Sequence, residues 1–562
     1  MAYEVPLREL TASGDRLPVI LARYEADRGS LDRLFTTPYS PRRRERLRSF
    51  LGAWEDALAA VAGDDLSRSD RLDALLFGNL LEAERWQLDR EQRLFAEMEL
   101  LLPFAADLIA LEDDRRQLGD VEPPEIAAAL DQAKEALDRT RKALEAELDA
   151  GRTPAAGVRP AVAHRAAQLL EQLGTVLGEW FGFRFGYDPT FSWWVEKPYR
   201  ALETALGEYR EFLRKRLAGA EDEAVVVGDP LGREALEEDL RRALLPYSPE
   251  ELIAIGQREL EWCRGEMLRA AGDLSCGDDW RAALEQVKAG HVPPGEQPAL
   301  IRELAHEAIA YLEEHDLVTV PPLARDGWRM EMMSPEQQKV SPFFLGGETI
   351  MVSFPTAGME HTDKQMSLRG NNRAFSRATV HHELIPGHYL QAYSQDRYRP
   401  YRRLFRTPFW VEGWPLYWEM LLWDRGFART PEERIGMLFW RSHRCARVVF
   451  SLRFHLGEMT AAECIELLVN DIGHERQNAA AEVRRSFEGG YDPLYQCAYL
   501  IGGLQFRALQ REVVGAGRMT DREFHDAVMR ENTMPVAALR ALLLELPLTR
   551  EAISGWRFDA PA

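Results

Sequence analysis

The sequence contains few cysteines, no excess of basic residues and no long apolar run, and each absence excludes a class of protein. Its five cysteines are scattered through 562 residues without a CxxC pair, which argues against a disulfide framework and against a thiolate zinc cluster. The formal net charge of −21 argues against nucleic acid and anionic membrane surfaces as partners, because phosphate groups are bound by basic faces.

Signals for export or membrane insertion are also missing. No apolar stretch approaches the roughly 20 residues of a membrane span. The first residues, MAYEVPLREL, lack the basic start and apolar run of a signal peptide. Together with scattered cysteines typical of a reducing compartment, this predicts a cytoplasmic protein that uses neither membrane nor nucleic acid as a partner.

Most of the chain shows the pattern of amphipathic helices. In residues 42–63, 80–118 and 124–150, apolar side chains recur at steps of three and four with charged residues between them. Pro103 is expected to interrupt the second of these segments. The segment SPEE at 248–251 combines an N-cap serine, a proline at the first helical position and a capping-box glutamate. The sequence therefore predicts a mainly α fold.

The most informative segment is HHELIPGH at residues 381–388. A His-Glu pair followed closely by another His is how a helix presents metal ligands with a general base between them. In the common zinc motif the two histidines are four residues apart and share a face, whereas His382 and His388 are six apart. Six residues rotate a straight helix by about 600°, which would leave them on opposite sides.

A helix break would remove this conflict. Pro386 lacks the N–H that would bond the carbonyl of His382, and Gly387 tolerates a positive φ. We therefore predict that the helix breaks at these two residues and that His388 turns back toward His382. Incidental histidines at a helix end are the alternative.

The residues beside the first histidine have separate expected roles. Glu383 points about 100° away from His382 in a helix, where it is suited to take a proton from a water on the metal. His381 is expected either to support the ligands or to contact the substrate.

A catalytic zinc commonly has three protein ligands and one water, and the third candidate lies in FWVEGWPLYWE. Glu412 follows His382 by 30 residues, which leaves room for the rest of one helix, a turn and an antiparallel return. Glu419 lies close to the same helical face, among tryptophans. Because burying an unpaired carboxylate is costly, a metal is expected to pair with Glu412, while Glu419 orients a ligand histidine. A surface-facing pair of glutamates is the alternative.

The pattern changes to short β-favouring segments, broken by proline and glycine, between residues 318 and 354. This predicts a small sheet next to the helix with the histidines, whose exposed edge could pair with an extended peptide; a structural hairpin is the alternative. We divide the chain into residues 1–227, a helical region forming part of a central groove, and residues 228–562, a catalytic helical region. Both are expected to form one continuous fold.

HHELIPGHYLQ and VEGWPLYWE resemble the signature segments of the bacterial family called domain of unknown function 885. The likeness continues through RCARVVFSLRFH, PLYQCAYLIGGLQF and FHDAVMRENTMPVAAL and covers roughly residues 228–546. That family in turn resembles zinc carboxypeptidases of the thermostable-carboxypeptidase, angiotensin-converting-enzyme and thimet-oligopeptidase type, which are mostly helical with a long groove that holds the metal.

The resemblance implies one zinc ion on His382, His388 and Glu412, with Glu383 as the base. Pro415 departs from the small residue expected in the family's second segment, and it predicts a kink that would displace Glu412. Two histidines and a carboxylate also suit iron, cobalt or manganese, so the metal stays open at this point.

The related enzymes stabilise the oxyanion with tyrosine and histidine from the C-terminal half of the chain. By this resemblance His455, Tyr495 and Tyr499 are the catalytic candidates. The expected substrate contacts are Tyr491, His381 and Arg447, the last as an anchor for a substrate carboxylate.

These expectations predict a zinc-dependent peptide hydrolase of the carboxypeptidase type, with a peptide or a small amide as its substrate. A zinc amidase acting on a small non-peptide substrate and a helical binding protein without catalysis are the two alternatives. Whether the protein forms a homodimer is left open.

Overall fold

In the computed structural model, the described residues are 16–61, 66–151, 158–222, 225–340, 344–488 and 490–559. The fold is mainly α, as predicted. The chain divides into two compact units, one comprising Met1–Leu66 and Phe77–Asp229 and the other Ser67–Leu76 and Pro230–Ala562. The predicted division after residue 227, with both regions in one continuous fold, stays a prediction.

Long helices build the first unit. They are α1 Arg16–Leu34, α2 Pro41–Val61, α3 Arg68–Met98, which begins within the second unit, α4 Ala105–Arg116, α5 Pro123–Asp149, α6 Pro160–Gly182 and α7 Pro189–Phe212, the last continued by a π-helical turn at Leu213–Leu217. The interruption predicted at Pro103 falls between α3 and α4. Helices α5, α6 and α7 all start at a proline. Proline is tolerated there because an N–H at the first helical position would have no partner within the helix. The core of this unit is aliphatic and aromatic, and it includes Leu130, Leu173, Phe191 and Tyr209.

The second unit contains the remaining helices and both strands. Its helices are α8 Arg233–Arg242, α9 Pro249–Asp273, α10 Trp280–Ala289, α11 Gln297–Glu314, α12 Pro322–Gly327, α13 Pro335–Val340, α14 His361–Gly370, α15 Arg373–Glu383, α16 His388–Gln395, α17 Pro408–Val411, α18 Gly413–Asp424, α19 Pro431–His455, α20 Ala461–Leu467, α21 Arg476–Glu488, α22 Tyr495–Gln510, α23 Asp521–Glu531, α24 Val536–Leu543 and α25 Arg550–Ser554. Its strands are β1 Arg329–Met332 and β2 Thr349–Val352. Short 3-10 and π-helical turns occur at Pro400–Phe405, Leu468–Ile472 and Arg511–Gly515.

Helix α19 is the centre of the second unit. It is buried along almost its whole length from Ile435 to His455, because α9, α15 and α22 all pack against it. The predicted capping box begins α9: the Ser248 hydroxyl accepts from the N–H of Glu251, and the Glu251 carboxylate accepts from the N–H of Ser248. Within the described ranges, no helix combines the length and apolar character that crossing a bilayer requires.

The predicted small sheet consists of two parallel strands, with Arg329 opposite Thr349 and Met332 opposite Val352. The hairpin alternative is therefore wrong, because parallel strands need a crossover, and here α13 lies within it. The first part of the predicted strand region forms α12 instead, where Pro322 occupies the helix start. An antiparallel bridge joins Leu345 and Met351, and Gly346 beside it lies against Glu383, at the end of the helix with the histidines.

Candidate metal centre

The helix that carries the first histidine breaks where the sequence predicts it. Helix α15 ends at Glu383 and α16 begins at His388, and the Ile385–Pro386 peptide bond between them is cis. The Gly387 N–H donates to the carbonyl of His381 at 3.0 Å. The indole N–H of Trp414, on α18, donates to the carbonyl of Pro386 at 2.9 Å and ties the break to the helix that follows Glu412.

Gly387 serves this break through its small size and not through a positive φ. Its φ is −80°, so the break does not use the positive φ that glycine tolerates. A Cβ placed on Gly387 would lie 1.7 Å from the carbonyl oxygen of His382 and 2.7 Å from that of His381. The turn is therefore so tight that any side chain at this position would displace the backbone of the first histidine.

The break brings three candidate ligands together. One ligand atom from each of His382, His388 and Glu412 lies within 4.8 Å of the other two. Glu412 Oε2 is 3.2 Å from His388 Nε2 and 3.7 Å from His382 Nε2. The two imidazole rings are nearly perpendicular, with centroids 5.0 Å apart. Two histidines on a broken helix and a glutamate from the next helical segment thus converge on one point.

Pro415 does not displace Glu412, so the predicted kink is wrong. Glu412 lies between α17 and α18, and Pro415 occupies the first turn of α18. In a first turn the proline removes no intrahelical hydrogen bond. The carbonyl of Glu412 accepts from the N–H of Leu416 at 3.3 Å, so the helix starts normally around the proline.

The donor atoms fit a divalent cation. Glu412 is 4 % exposed, and its Oε2 receives no hydrogen bond from any described residue, which is costly for a buried oxygen. Burial opposes ionisation of Glu412, but the neighbouring His388 and His382 hold the pKa of its carboxyl well below the ordinary value. A buried, ionised carboxylate with an orphaned oxygen between two imidazoles matches the nitrogen and oxygen ligands of zinc.

Glu419 lies against the first histidine, where its spacing in the sequence places it. Its Oε1 lies 2.6 Å from His382 Nδ1, which leaves Nε2 of the ring to face Glu412 and a metal. Burial alone would lower the pKa of His382, but Glu412 and Glu419 raise it to about 9. The same proximity holds the pKa of Glu419 below its ordinary value, against the effect of burial.

Replacing Glu419 by glutamine is expected to weaken zinc binding roughly 10- to 100-fold, because the ligand histidine loses a charged acceptor that fixes its orientation. Competition with a chromophoric chelator measures this affinity. Glu458→Gln, an exposed position, serves as the matched control and should bind zinc like the parent protein. An unchanged affinity in the Glu419 variant would contradict this role.

The ligand cluster opens into a cavity of about 360 Å³. Its wall includes the three candidate ligands, the predicted base Glu383 and four of the other predicted site residues, Arg447, Tyr491, Tyr495 and Tyr499. Residues that were not predicted also line it, among them Phe344, Leu345, Gly346, Gly347, Thr379, Gln391, Arg406, Arg444 and Arg485. A larger cavity, of about 530 Å³, is lined from α14 and α21 and contains none of the candidate ligands. Chemistry, and not size, therefore locates the site.

Two tyrosines of α22 reach the cluster because α22 approaches α17 and α18 closely. A Cβ on Gly502 would lie 2.1 Å from the carbonyl oxygen of Phe409, so glycine permits this approach. The Tyr495 hydroxyl donates to Glu412 Oε1, and the Tyr499 ring lies nearly parallel to that of His382 at 6.3 Å. Burial raises the pKa of both phenols, which keeps them protonated at neutral pH.

Two predicted site residues lie elsewhere. His381 is 1 % exposed, its ring faces Phe427, and burial lowers its pKa to about 3; it is a neutral core residue that cannot contact a substrate in the cavity. His455 lies at the far end of α19, packed against Phe454 and Phe487. It is not among the residues that line the cavity, and it lies about 12 Å along α19 beyond Arg447, which excludes the oxyanion role predicted for it.

The cavity also contains arginines that sequence patterns did not assign to it. Arg444 lies one turn before Arg447 on α19, a spacing visible in the sequence, but Arg485 lies in the charged run AEVRRSFE, which is typical of a solvated helix face. Only packing of α21 against the rest of the unit reveals that Arg485 faces the site.

Comparisons with known proteins agree on the fold. A solved protein from Shewanella oneidensis, described as "a putative lipoprotein of unknown function", is similar over 94% of this chain and 100% of its own, with a TM-score of 0.70 and 16% identity. A second, from Colwellia psychrerythraea and also described as a "putative lipoprotein", covers 94% of this chain and 98% of its own, with a TM-score of 0.60 and 14% identity. At such identities the likeness is one of fold alone.

No curated protein matches the sequence. A family model does: the one described as "Bacterial protein of unknown function (DUF885)" matches residues 24–543. This match extends well into the N-terminal region, where the sequence motifs had given little signal. The chain therefore belongs to the bacterial family DUF885.

Proposed function

We propose that this protein is a zinc-dependent hydrolase of peptide or amide bonds, of the carboxypeptidase type. The observation that carries the proposal is the convergence of His382, His388 and Glu412 beside Glu383 in one cavity, with a buried Glu412 oxygen that accepts no hydrogen bond from the described residues. The sequence resemblance to zinc carboxypeptidases supports the same assignment of ligands. Because all five cysteines are free thiols, a cytoplasmic location is part of the proposal.

A divalent ion on these ligands would supply Lewis-acid chemistry, lowering the pKa of water and polarising a carbonyl group. Glu383, at the end of α15, borders the same cavity. In this proposal its carboxylate takes a proton from the attacking water and later gives it to the leaving amine. Glu419 keeps His382 in the orientation that this chemistry needs.

Tyr495 and Tyr499 are suited to stabilise negative charge on the carbonyl oxygen of the substrate. Both line the cavity, and both keep their protons at neutral pH because burial raises their pKa. Tyr495 donates to Glu412 before substrate binds, so its hydroxyl already lies beside the ligand cluster. Either tyrosine could direct its hydroxyl group toward the developing oxyanion.

Arg447 is suited to anchor the terminal carboxylate of the substrate. It is 3 % exposed, its Nε donates to Glu482 at 2.6 Å, and its Nη1 has no hydrogen-bond partner within the described ranges. A buried guanidinium in the cavity wall with a donor nitrogen left unpaired favours a carboxylate ligand. This supports cleavage near a free carboxyl terminus.

A zinc amidase for a small non-peptide substrate remains the second candidate. The cavity of about 360 Å³ lies at the lower end of the roughly 300–1,000 Å³ typical of small-molecule sites. Comparing N-acyl dipeptides with small non-peptide amides distinguishes the two candidates, since only the peptidase should prefer the dipeptides.

Protein purified without chelator is expected to contain close to one zinc per chain, whereas His388→Ala should lose it, since one of three ligands is removed. Elemental analysis by mass spectrometry measures the content. His361→Ala, an exposed histidine outside the cavity wall, is the control and should keep its zinc.

Hydrolysis is tested on the same preparations. The zinc-loaded protein should cleave a mixture of N-acyl dipeptides, and chelation should abolish the cleavage. Equal zinc content in His388→Ala and the parent would exclude the metal site. A zinc-loaded protein that cleaves neither dipeptides nor amides would exclude the proposed hydrolase activity.

A further inference from the structure

Three arginines line the cavity beside the ligand cluster. Arg444 and Arg447 lie one turn apart on α19, and Arg485 lies on α21. Arg444 is 5 % and Arg447 is 3 % exposed, so neither guanidinium is a solvated surface charge. We call these three side chains the arginine cluster.

Among the described residues, Glu482 is the carboxylate that lies beside two members of the arginine cluster. Glu482 accepts from Arg447 Nε at 2.6 Å and lies 4.0 Å from Arg485 Nη1. Arg485 also donates through Nε to the Tyr491 hydroxyl at 3.2 Å. The carboxylate beside Arg444 is Glu419, at 3.9 Å, but Glu419 is engaged with His382 at 2.6 Å.

The charges within the cluster therefore do not balance. Arg447 and Arg485 share Glu482, and the carboxylate beside Arg444 is already engaged with His382, so positive charge is in excess in a largely buried place. Arg444 Nε and Arg447 Nη1 are buried without a hydrogen-bond partner in the described part of the chain. Burying cations with free donors is costly unless a ligand completes the pairs.

The ring of Tyr499 contacts both the arginine cluster and a candidate metal ligand. The Tyr499 ring faces His382 at 6.3 Å, while the guanidinium carbons of Arg447 and Arg444 are 4.5 Å and 4.9 Å from the centre of the same ring. One residue of extended chain spans about 3.3–3.6 Å. With a metal–carbonyl contact at one end and a carboxylate–guanidinium contact at the other, the cluster is within reach of the residue next to the bond that is cleaved.

We propose that the arginine cluster selects substrates whose leaving residue carries two carboxylates, that is, peptides or N-acyl amino acids that end in glutamate or aspartate. This inference rests on the proposed function. Arg447 would bind the terminal carboxylate, and Arg444 and Arg485 the side-chain carboxylate, each through charge-assisted hydrogen bonds. Three guanidiniums from two helices match two separated carboxylates better than one compact dianion.

A matched pair of substrates tests the charge alone. N-benzoylglycyl-glutamate and N-benzoylglycyl-glutamine have nearly the same shape and differ by one negative charge. The zinc-loaded protein is expected to cleave the glutamate compound with a kcat/KM about 10- to 100-fold higher, since a buried hydrogen bond to a charged group contributes strongly.

Arg485→Met should reduce the ratio of kcat/KM between the glutamate and glutamine compounds to within a fewfold of one. Arg485→Lys, which keeps the charge, should retain part of the preference. Arg484→Met, at the adjacent position on α21 where the side chain lies 3.9 Å from Glu488, is the matched control and should keep the full preference. Zinc content and the thermal unfolding midpoint of each variant establish that the metal centre and the fold are intact.

Calorimetric binding separates failure of this inference from failure of the proposed function. Glutarate should bind the zinc-loaded protein at least tenfold more tightly than butyrate, and Arg485→Met should remove the difference. If both substrates are cleaved equally, the arginine cluster does not select for the second carboxylate, and the proposed hydrolase activity is supported. If neither is cleaved but glutarate binds as expected, the cluster binds dicarboxylates and the proposed hydrolase activity is wrong. Inorganic phosphate binding as tightly as glutarate would also overturn the selection for dicarboxylates.

Discussion

Glu383→Gln is expected to lower kcat for hydrolysis by at least about 10²- to 10⁴-fold while zinc remains bound. The amide cannot accept the proton of the attacking water, so the general-base contribution is lost. Zinc binding should persist because Glu383 is not among the three converging ligands. Steady-state kinetics on N-acyl dipeptides, with zinc measured on the same samples, provides the readout.

Glutamine is the suitable replacement at this position because the surroundings leave no room for a larger side chain. A Cβ added to Gly346 would lie 2.2 Å from Glu383 Oε2, so the chain before β2 packs directly on the carboxylate. Glu348→Gln, two residues further along the same loop and exposed, is the control and should leave kcat unchanged. Full activity in Glu383→Gln would show that another group accepts the proton.

Gly387→Ala is expected to abolish stoichiometric zinc binding and to destabilise the metal-free protein by roughly 1–3 kcal/mol, as overpacking of a buried site typically does. The added Cβ would lie 1.7 Å from the carbonyl oxygen of His382. Relief of that clash requires movement of the backbone that carries the first ligand or of the turn that carries His388. Either movement separates the two histidines.

Denaturant unfolding of the metal-free protein and zinc titration measure these two effects separately. Gly265→Ala, within α9, is the control because a Cβ there would meet nothing within 4 Å. It should raise the free energy of unfolding by about 0.4–1 kcal/mol through loss of unfolded-state entropy and leave zinc binding intact. A Gly387→Ala protein that binds zinc like the parent would show that the turn can relax without moving the ligands.

The sequence predicted those features that depend on local covalent geometry. The helix break follows from the missing N–H of Pro386, and the capping box at Ser248 follows from four consecutive residues. The pairing of Glu419 with His382 was also predictable, because helical spacing places Glu419 near the face of Glu412 and the cost of burial demands a partner.

Features that depend on packing between distant segments were not predictable in this way. The direction of β2 relative to β1, the contact of Arg485 with the cavity and the exclusion of His455 from it all depend on how helices pack. Gly387 shows a finer limit. The sequence suggested that glycine is needed here because it tolerates a positive φ. The structure shows that it is needed because a side chain would clash with the backbone.

The helix break also changes the electrostatic field at the ligands. In an unbroken helix both histidines would lie mid-helix, where backbone dipoles largely cancel. Here His382 and Glu383 lie at the carboxyl end of α15 and His388 at the amino end of α16. The carboxyl end of a helix dipole favours a cation, and the amino end favours an anion. The turn thus places the opposite poles of two helix dipoles side by side at the three candidate ligands, where the proposed function requires both a metal ion and a developing negative charge.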